Sequence, residues 1–508
     1  MFMSNLSCVA ACCIRAKRVF LSGGMLVAFS AALRLTAADY DVKQFGATGD
    51  GKTIDTDAIN KAIVAAHAAG GGIVRFPAGT YLSVSIQLQS NIGLFLEPGC
   101  VIEAADRTVK FYDAPETNEW DGKYLDFGHT HWHNSLIWGV GLDNVSISGP
   151  GLIYGKGLLK AIALPPGSGN KAIGLENCRN VTLRDFSIRH GGHFGVLATG
   201  VDNLTIDNLK IDTDRDGMDI DCCNNVRISN CSVNSPSDDA ICLKSTYALG
   251  YPRPTENVNI VNCHVSGYVE GTMLDGTRDA SNTNKSPMHI KGFEPVGGIK
   301  FGTEASGGFK NITVANCTFE HCRGLALEEV DGGNLEDVSV SNLAMRDVSD
   351  AAIFIRLGNR ARGPNNPPVG FLRRVNIDNV VASGINPRCG VIISGLPGHP
   401  IEDITLSNIR LLCRGGGTKA DATNQPAELE KGYPEAITFG VLPAYGLYLR
   451  HVDGVSLRGV NIRCTTNDLR PAFVLDDVTN ADLVDIKPSW SPRLFSPGKG
   501  HSGNRFPY

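Results

Sequence analysis

Seven aspartates lie in one short stretch, Ile211–Ser245, and most of them fall into two clusters. The first cluster contains Asp216, and the second contains Asp238 and Asp239, which follow it by 22 and 23 residues. One turn of a parallel β-helix of that length would place the clusters side by side, about 4.8 Å apart. Carboxylates that close cannot all ionise at neutral pH, so one retains a proton beside a base. The spacing therefore indicates an acid–base site.

Two other interpretations of the same aspartates remain open at this point. Turns on the surface of a solenoid are often rich in Asp, because its side chain hydrogen-bonds to the backbone of a turn. Clustered carboxylates are also the ligands that calcium prefers. We predict neither a metal nor a cofactor, since no Cys/His cluster has the spacing of a zinc site.

The elements that would position these residues follow from a repeat. A unit of alternating β-branched and polar residues recurs from residue 143 to residue 462, for example as RNVTLRDFSI at 179–188 and NNVRISNCSV at 224–233. Such alternation is typical of a half-buried strand, and a period in the twenties is typical of a solenoid. The sequence thus predicts an all-β fold, a single right-handed parallel β-helix. Recurrent Asn residues at the strand ends should stack between coils, and Cys231, Cys263 and Cys317 should stack in the core.

The two ends of the chain and two insertions complete the predicted organisation. Residues 1–38 have the basic, apolar, small-residue order of an export signal, and KRVFL within them is similar to a twin-arginine signal. Residues 39–508 are predicted to form one catalytic β-helix domain, in which 39–90 supply an N-terminal cap and the first strands. An amphipathic helix over Thr53–Ala68 should close the open end of the stack. Polar insertions at 268–298 and 412–446 should project as loops that wall a groove.

Bulk composition excludes several classes of protein. A net charge of −5 and a pI near 6.2 argue against a nucleic-acid partner, which needs a basic face. No segment after the leader is long and apolar enough to span a membrane, so we predict an exported protein, periplasmic or extracellular. The sequence does not indicate an oligomeric state.

A family resemblance gives the aspartates individual roles. D-G-M-D at 216–219, S-D-D-A-I-C-L-K-S at 237–245 and GGIKFGTEASGGFKNITVANCTF at 297–319 resemble polygalacturonases of glycoside hydrolase family 28. The resemblance implies hydrolysis of a pectic polysaccharide with inversion. It also implies that Asp238 is the general acid, and that Asp216 and Asp239 hold and activate water. An inverting pair stands roughly 6.5–9.5 Å apart to admit that water.

Two departures from the family pattern bear on the sugar that is recognised. The family's G-H-G segment is replaced by Pro295, Val296 and Gly297, and its R-I-K segment by Ala326, Leu327 and Glu328. Replacing Lys by Glu turns an anion-binding position into one that repels anions. We therefore expect either a neutral sugar, such as rhamnose, or a uronate held by other cations. The residues predicted to bind substrate are His193, Lys300, Glu328 and Arg356, with Arg360 as a further cation.

Two other functions fit the same fold. A polysaccharide lyase or epimerase would abstract the proton next to a uronate carboxyl, and would need a Lys, Arg or Tyr base. A non-catalytic carbohydrate-binding protein would be consistent with the loss of the family's His and R-I-K. The paired aspartates favour the hydrolase.

Overall fold

The chain winds as a right-handed parallel β-helix, as predicted. A computed structural model describes residues 39–125, 128–161, 163–281, 295–388 and 390–488, together with the backbone of 495–497. Strands from successive coils pair in parallel and form three stacks along the helix axis. The predicted export signal lies outside the described residues and stays a prediction.

The site stack is the face that carries the chemistry. Its strands, in chain order, are Ile86–Gln87, Ser135–Val140, Lys171–Glu176, Phe194–Thr199, Asp216–Asp221, Ile241–Ser245, Ile299–Ala305, Leu325–Glu329, Ile353–Leu357, Val391–Ser394, Leu447–Arg458, Phe473–Val484 and Phe495–Pro497. Alternate side chains point into the core, as Met218, Ile241 and Ile299 do in adjacent coils. The others point outward, where they can meet a ligand.

The second and third stacks complete each coil. The second stack consists of Asp39–Asp41, Gly72–Phe76, Ile92–Leu96, Asp143–Ser148, Arg179–Arg184, Asp202–Asp207, Asn224–Ser229, Thr255–Val261, Phe309–Ala315, Asn334–Arg346, Phe371–Ile385 and Ile401–Cys413, continued by the last long strands of the site stack. The third stack consists of Asp50–Ile54, Gly79–Ser83, Cys100–Ala104, Leu152–Tyr154, Ser187–Arg189, Lys210–Asp212, Ser232–Asn234, His264–Ser266, Thr318–Glu320, Asn461–Cys464 and Lys487–Pro488, and the long strands of the second stack bend into it.

Asparagine ladders hold the corners between these stacks. The predicted ladder is confirmed from Asn230 to Asn379, where each side-chain amide donates to the carbonyl oxygen of the Asn one coil before. A second ladder, from Asn91 to Asn225, was not predicted. These residues adopt positive φ, a conformation that Asn tolerates better than most residues. The predicted cysteine stack is also confirmed, since Cys231, Cys263 and Cys317 are all buried.

The predicted capping helix exists but begins three residues later, at Thr56–Ala68. Residues 53 and 54 belong instead to the strand Asp50–Ile54. The predicted apolar face is confirmed: Ile59, Ala62, Ile63 and Ala66 are buried. Three short 3₁₀ helices, Val42–Phe45, Asp421–Thr423 and Ala436–Phe439, complete the secondary structure of the described residues. Within those residues no helix has the length and apolarity needed to cross a membrane.

Candidate active site

Three carboxylates from adjacent coils meet on the outer face of the site stack. Asp216 begins the strand Asp216–Asp221, and Asp238 and Asp239 lie in the turn just before Ile241–Ser245, which pairs with that strand. One oxygen atom from each carboxylate lies within 4.8 Å of one from the other two. The structure therefore brings together the three residues that the spacing predicted.

Two cations bind this cluster directly. The Nη2 of Arg215 lies 2.6 Å from an oxygen of Asp238, and the Nζ of Lys300 lies 3.3 Å from an oxygen of Asp239. Lys300 also lies 3.8 Å from Glu328, so this buried ammonium is shared between two carboxyl groups. Charged side chains of the protein thus balance the cluster, although clustered carboxylates also suit calcium.

The cations separate the pKa values of the three aspartates. Burial, and the charges of Asp219 and Asp238, raise the pKa of Asp216 well above its usual range. Burial also raises the pKa of Asp239, although Lys300 opposes this. Burial alone would raise the pKa of Asp238 as well, but the charges of Arg215 and Lys300 outweigh it and leave that pKa lowered. In the empty site the proton therefore resides on Asp216, whose pKa is raised furthest of the three, and Asp238 is ionised.

A fully buried carboxyl group lies behind the cluster. Neither oxygen of Asp219 has a hydrogen-bond partner among the described residues, and burial raises its pKa well above the usual range. Its nearest polar neighbours are the Nζ of Lys244 and the Nδ1 of His129, each 3.9 Å from one of its oxygens. Lys244 in turn lies 3.0 Å from Glu304. Asp219 thus adds a proton-holding group beside Asp216, at a position to which the sequence assigned no individual role.

A pocket opens next to Asp239. Its charged lining consists of Asp239, Lys300, Arg323, Glu328, Asp350 and Glu435. The cations of this lining are paired: Lys300 binds Asp239 and Glu328, and the Nη1 of Arg323 lies 3.0 Å from Glu435. Ala326, which stands where the family has Arg, is one of the small residues that leave this space open.

Three of the four residues predicted to bind substrate lie near the aspartates. Lys300 and Glu328 line the pocket, and burial raises the pKa of Glu328 to about 8. His193 lies on the other side, with its Nε2 3.5 Å from the Nη2 of Arg215 and its Nδ1 3.1 Å from the carbonyl oxygen of Lys160. Burial and the charge of Arg215 lower the pKa of His193 to about 4, so it is neutral at neutral pH.

The fourth, Arg356, lies one coil beyond Glu328 and in register with it, and its predicted substrate-binding role stays a prediction. Its guanidinium is almost fully buried and donates to Ser394 Oγ and to the carbonyl oxygens of Gly395, Glu428 and Leu429. Two of these carbonyls belong to the 412–446 insertion. Arg356 therefore fastens that insertion to the outer face of the site stack.

The attachment of the insertion predicts a stability effect. Arg356→Ala would leave several buried carbonyl groups without a donor and is expected to lower the free energy of unfolding by about 3 kcal/mol. Limited proteolysis should then cut the 412–446 insertion faster than in the wild type. Arg410→Ala is the control, because Arg410 is exposed on the strand Ile401–Cys413. Equal cleavage rates for the two variants would contradict the assignment.

Tyr433, in the same insertion, is a site residue that sequence analysis missed. Its ring lies over two cations, 5.4 Å from the Nζ of Lys300 and 6.0 Å from the guanidinium carbon of Arg360. The residue is 46% exposed. An exposed aromatic ring presents a flat apolar face against which a ligand can pack. No local signal marked this position, since its neighbours are 133 and 73 residues away in the chain, at positions 300 and 360.

Both ends of the outer face are covered, and the aspartates lie between the covers. Towards the N-terminus, Leu125 and Trp132 pack against Phe194 and Leu197 of the site stack. Towards the C-terminus, the apolar cover packs Ala436, Phe439 and Leu442 of the insertion against Phe354, Ile392 and Tyr448. The described part of the 268–298 insertion adds a side wall, where Glu270 contacts Lys160 at 2.6 Å and His190 at 3.0 Å.

Known proteins match both this coil architecture and parts of the sequence. A family profile described as "Rhamnogalacturonase A/epimerase, pectate lyase-like" matches residues 40–234. A probable polygalacturonase from Vitis vinifera is 24% identical over 406 residues, which are 75% of this chain and 75% of the relative. The solved structure of a hyperthermoactive exopolygalacturonase from Thermotoga maritima has a TM-score of 0.61 at 19% identity, covering 84% of this chain and 92% of that chain.

The chain has the pectate-lyase-like β-helix fold of the polygalacturonases. This confirms the predicted fold and the family resemblance. PfbA, a surface adhesin of Streptococcus pneumoniae, shares the fold with a TM-score of 0.52 at 16% identity, covering 87% of this chain and 92% of that chain. The polygalacturonase-like fold is therefore compatible with both catalysis and binding, and the site residues must distinguish them.

The altered family segments lie next to the site in this polygalacturonase-like fold. Val296 is buried, and the adjacent Gly297 donates its backbone N–H to the main-chain oxygen of Asp238, so this segment supports the turn that carries Asp238. Glu328, where the family has Lys, contacts Lys300. The positive charge that the family places on the Leu325–Glu329 strand is thus found one coil earlier, on Ile299–Ala305.

Proposed function

We propose that this protein is an exported glycoside hydrolase that cleaves a pectic polysaccharide by acid–base catalysis. The observation that carries the proposal is the carboxylate cluster, in which Asp216, Asp238 and Asp239 approach within 4.8 Å and have pKa values moved apart by Arg215 and Lys300. Carboxyl groups with separated pKa values are the requirement for one to act as acid and another as base.

In the proposed reaction, the protonated carboxyl of Asp238 gives its proton to the glycosidic oxygen as the bond to the anomeric carbon breaks. A water held by Asp216 and Asp239 attacks that carbon from the opposite face, and the base carboxylate takes its proton. The products are an alcohol and, as the family resemblance implies, a hemiacetal of inverted configuration. The carboxylate oxygens approach within 4.8 Å, closer than the roughly 6.5–9.5 Å expected of an inverting pair, so the anomer that is formed tests this step directly. Asp238 is ionised before substrate binds, so the proposal requires the proton of the cluster to move to it in the complex.

The pocket beside Asp239 supports cleavage from a chain end. The covers at the two ends of the outer face, and the insertion that carries Tyr433 and Glu435, bound the space around the aspartates. We expect small sugars to be the first products, with the viscosity of the polymer falling slowly. A rapid early fall in viscosity would instead indicate cleavage within the chain.

One assay tests the proposed reaction against its alternatives. The protein is incubated with pectin, polygalacturonate and rhamnogalacturonan, with and without a chelator. We expect new reducing ends without unsaturated sugars in both conditions, and proton NMR of the fresh product should show the inverted anomer. Retention of configuration would refute the water-activating roles of Asp216 and Asp239. Loss of activity in the presence of the chelator would indicate that the aspartate cluster binds a cation.

The Lys and Tyr candidates for the base of a lyase or epimerase keep their protons in the described site. The part of Tyr433 that is removed from water raises the pKa of its phenol, and the carboxylates around Lys300 outweigh its burial and raise the pKa of its ammonium group well above the usual range. Both groups therefore keep their protons at neutral pH and cannot abstract one. Unsaturated products, detected by their ultraviolet absorbance, would overturn this argument. No products on any of the three polymers would favour a binding role.

A further inference from the structure

Arg215 lies between Asp238, which is the proposed acid, and His193. It sits in the turn between the strands Lys210–Asp212 and Asp216–Asp221. Its Nη2 contacts Asp238 at 2.6 Å and the Nε2 of His193 at 3.5 Å. The Nε of the same guanidinium is buried and has no hydrogen-bond partner among the described residues. A guanidinium offers five donors in a fixed fork, and the Nε donor of Arg215 is not used within the described residues.

The surroundings of Arg215 suit an anion. Asp214, the adjacent carboxylate, lies 3.3 Å from Lys160, and Glu270 binds Lys160 and His190. Asp214 and Glu270 are thus paired with Lys160 and His190, although Asp214 and Asp216 also interact with Arg215. Neutral His193 adds no charge, and its Nδ1 faces a carbonyl oxygen. Arginine binds carboxylates in bidentate geometry, which an ion pair through Nη2 alone does not use.

The ionised state of Asp238 depends on the charges around it. The charged and titratable groups that interact with it are Arg215, His193, Asp216, Asp219, Asp239, Lys244 and Lys300, and Glu435 reaches the same space from the insertion. Lys300 and Lys244 also interact with other carboxylates, at Asp239, Glu328 and Glu304. Arg215 is therefore the cation whose displacement would change Asp238 most.

We propose that Arg215 is a specificity and positioning residue that binds a carboxylate of the substrate, and that in doing so it releases Asp238 to become the general acid. The proposal rests on the proposed hydrolase function. When Arg215 turns to the substrate carboxylate, Asp238 loses its closest positive charge, and the proton held by Asp216 moves to it. One proton changes place and none is gained or lost. Asp216 is left ionised as the base, and Asp238 protonated as the acid.

The two sides of the cleavage point then differ in the sugar they accept. On the pocket side, the lining cations Lys300 and Arg323 are paired with carboxylates of the protein, which suits a neutral ring. On the Arg215 side, a guanidinium with an unused donor suits a uronic acid. The substrate class inferred is a polysaccharide in which a neutral sugar is linked to an acidic one.

The experiment compares an acidic oligosaccharide with its carboxyl-reduced form, in which the uronate is a primary alcohol. The wild type should cleave the acidic form with a kcat/KM about 10- to 100-fold higher, the range expected for hydrogen bonds to a charged group. Arg215→Gln should abolish this preference, and Arg215→Lys should restore part of it. Arg179→Gln, which removes an exposed arginine paired with Asp143, should keep it. Retention of the full preference in Arg215→Gln would overturn the proposal.

A pH profile gives a second readout that a purely structural role would not produce. Removing the positive charge of Arg215 raises the pKa at which the carboxylate cluster loses its last proton. The alkaline limb of kcat/KM, which reports the free enzyme, should therefore move to higher pH in Arg215→Gln. An unchanged alkaline limb in a folded variant would contradict the release of Asp238.

The experiments distinguish failure of the hydrolase function from failure of the role proposed for Arg215. If the wild type cleaves neither form, the hydrolase function fails, and the role of Arg215 is then measured by calorimetric binding of the two forms. Weaker binding of the acidic form to Arg215→Gln than to the wild type would support carboxylate recognition. Equal binding would overturn it.

Discussion

Asp238→Asn is expected to lower kcat on the natural polysaccharide by about 10³-fold, the size of a general-acid contribution. The amide keeps the shape of the side chain but has no acidic proton for the leaving oxygen. The decisive comparison is an aryl glycoside, whose leaving group departs without protonation. On that substrate Asp238→Asn should lose less than about 10-fold, because the acid is no longer required.

The same pair of substrates separates the acid from the base. Asp216→Asn should lose activity equally on both, since water must still be activated whatever group departs. Asp143→Asn is the matched control, because Asp143 is paired with Arg179 on the surface of the second stack. Equal losses on both substrates for Asp238→Asn would show that Asp238 is a base, as its ionised state in the empty site would suggest.

Lys300→Met is expected to lower the free energy of unfolding by about 3–5 kcal/mol at neutral pH, the cost of breaking a buried ion pair from one side. Methionine fills much of the same volume but leaves Asp239 and Glu328 without their shared cation. The pKa values of both carboxyl groups are already raised by burial in the wild type, and they should rise further in the variant.

The stability deficit of this variant should depend on pH. A carboxyl group with a folded-state pKa above its unfolded value destabilises the protein once the unfolded chain ionises. The deficit should therefore be small below about pH 4, near the unfolded pKa values of Asp and Glu, and grow as pH rises towards the folded-state values. Chemical denaturation across this range measures it. Lys310→Met is the control, because Lys310 is half exposed and lies 3.6 Å from Glu336. A deficit independent of pH would contradict the shared ion pair.

Some parts of the site could be predicted from the sequence, because they depend on residues that lie one coil apart. The spacing from Asp216 to Asp238 and Asp239 equals one coil, so parallel pairing alone brings them together. The Asn ladder and the Cys stack follow from the same register. The start of the helix was misplaced because residues 53 and 54 were needed by a strand that pairs with Gly79–Ser83, a long-range contact that a local pattern does not contain.

Other parts of the site could not be predicted from the sequence, because they depend on where an insertion folds back onto the β-helix. Arg356 has the sequence context of a groove cation, yet it binds carbonyl groups more than 70 residues away. Tyr433 reaches Lys300 only because the 412–446 insertion covers the outer face. An irregular loop has no period from which its position can be predicted.

The sequence by itself determined the β-helix and the three aspartates on one of its faces, because each coil repeats the same alternation and parallel register converts a fixed spacing into contact. Only the tertiary structure decided the electrostatics of that face. It placed Arg215 on Asp238 and Lys300 between Asp239 and Glu328, and these contacts decide which carboxyl holds the proton. Proton placement depends on distances of a few ångströms between side chains and on their exclusion from water, which a spacing of residues along the chain does not specify.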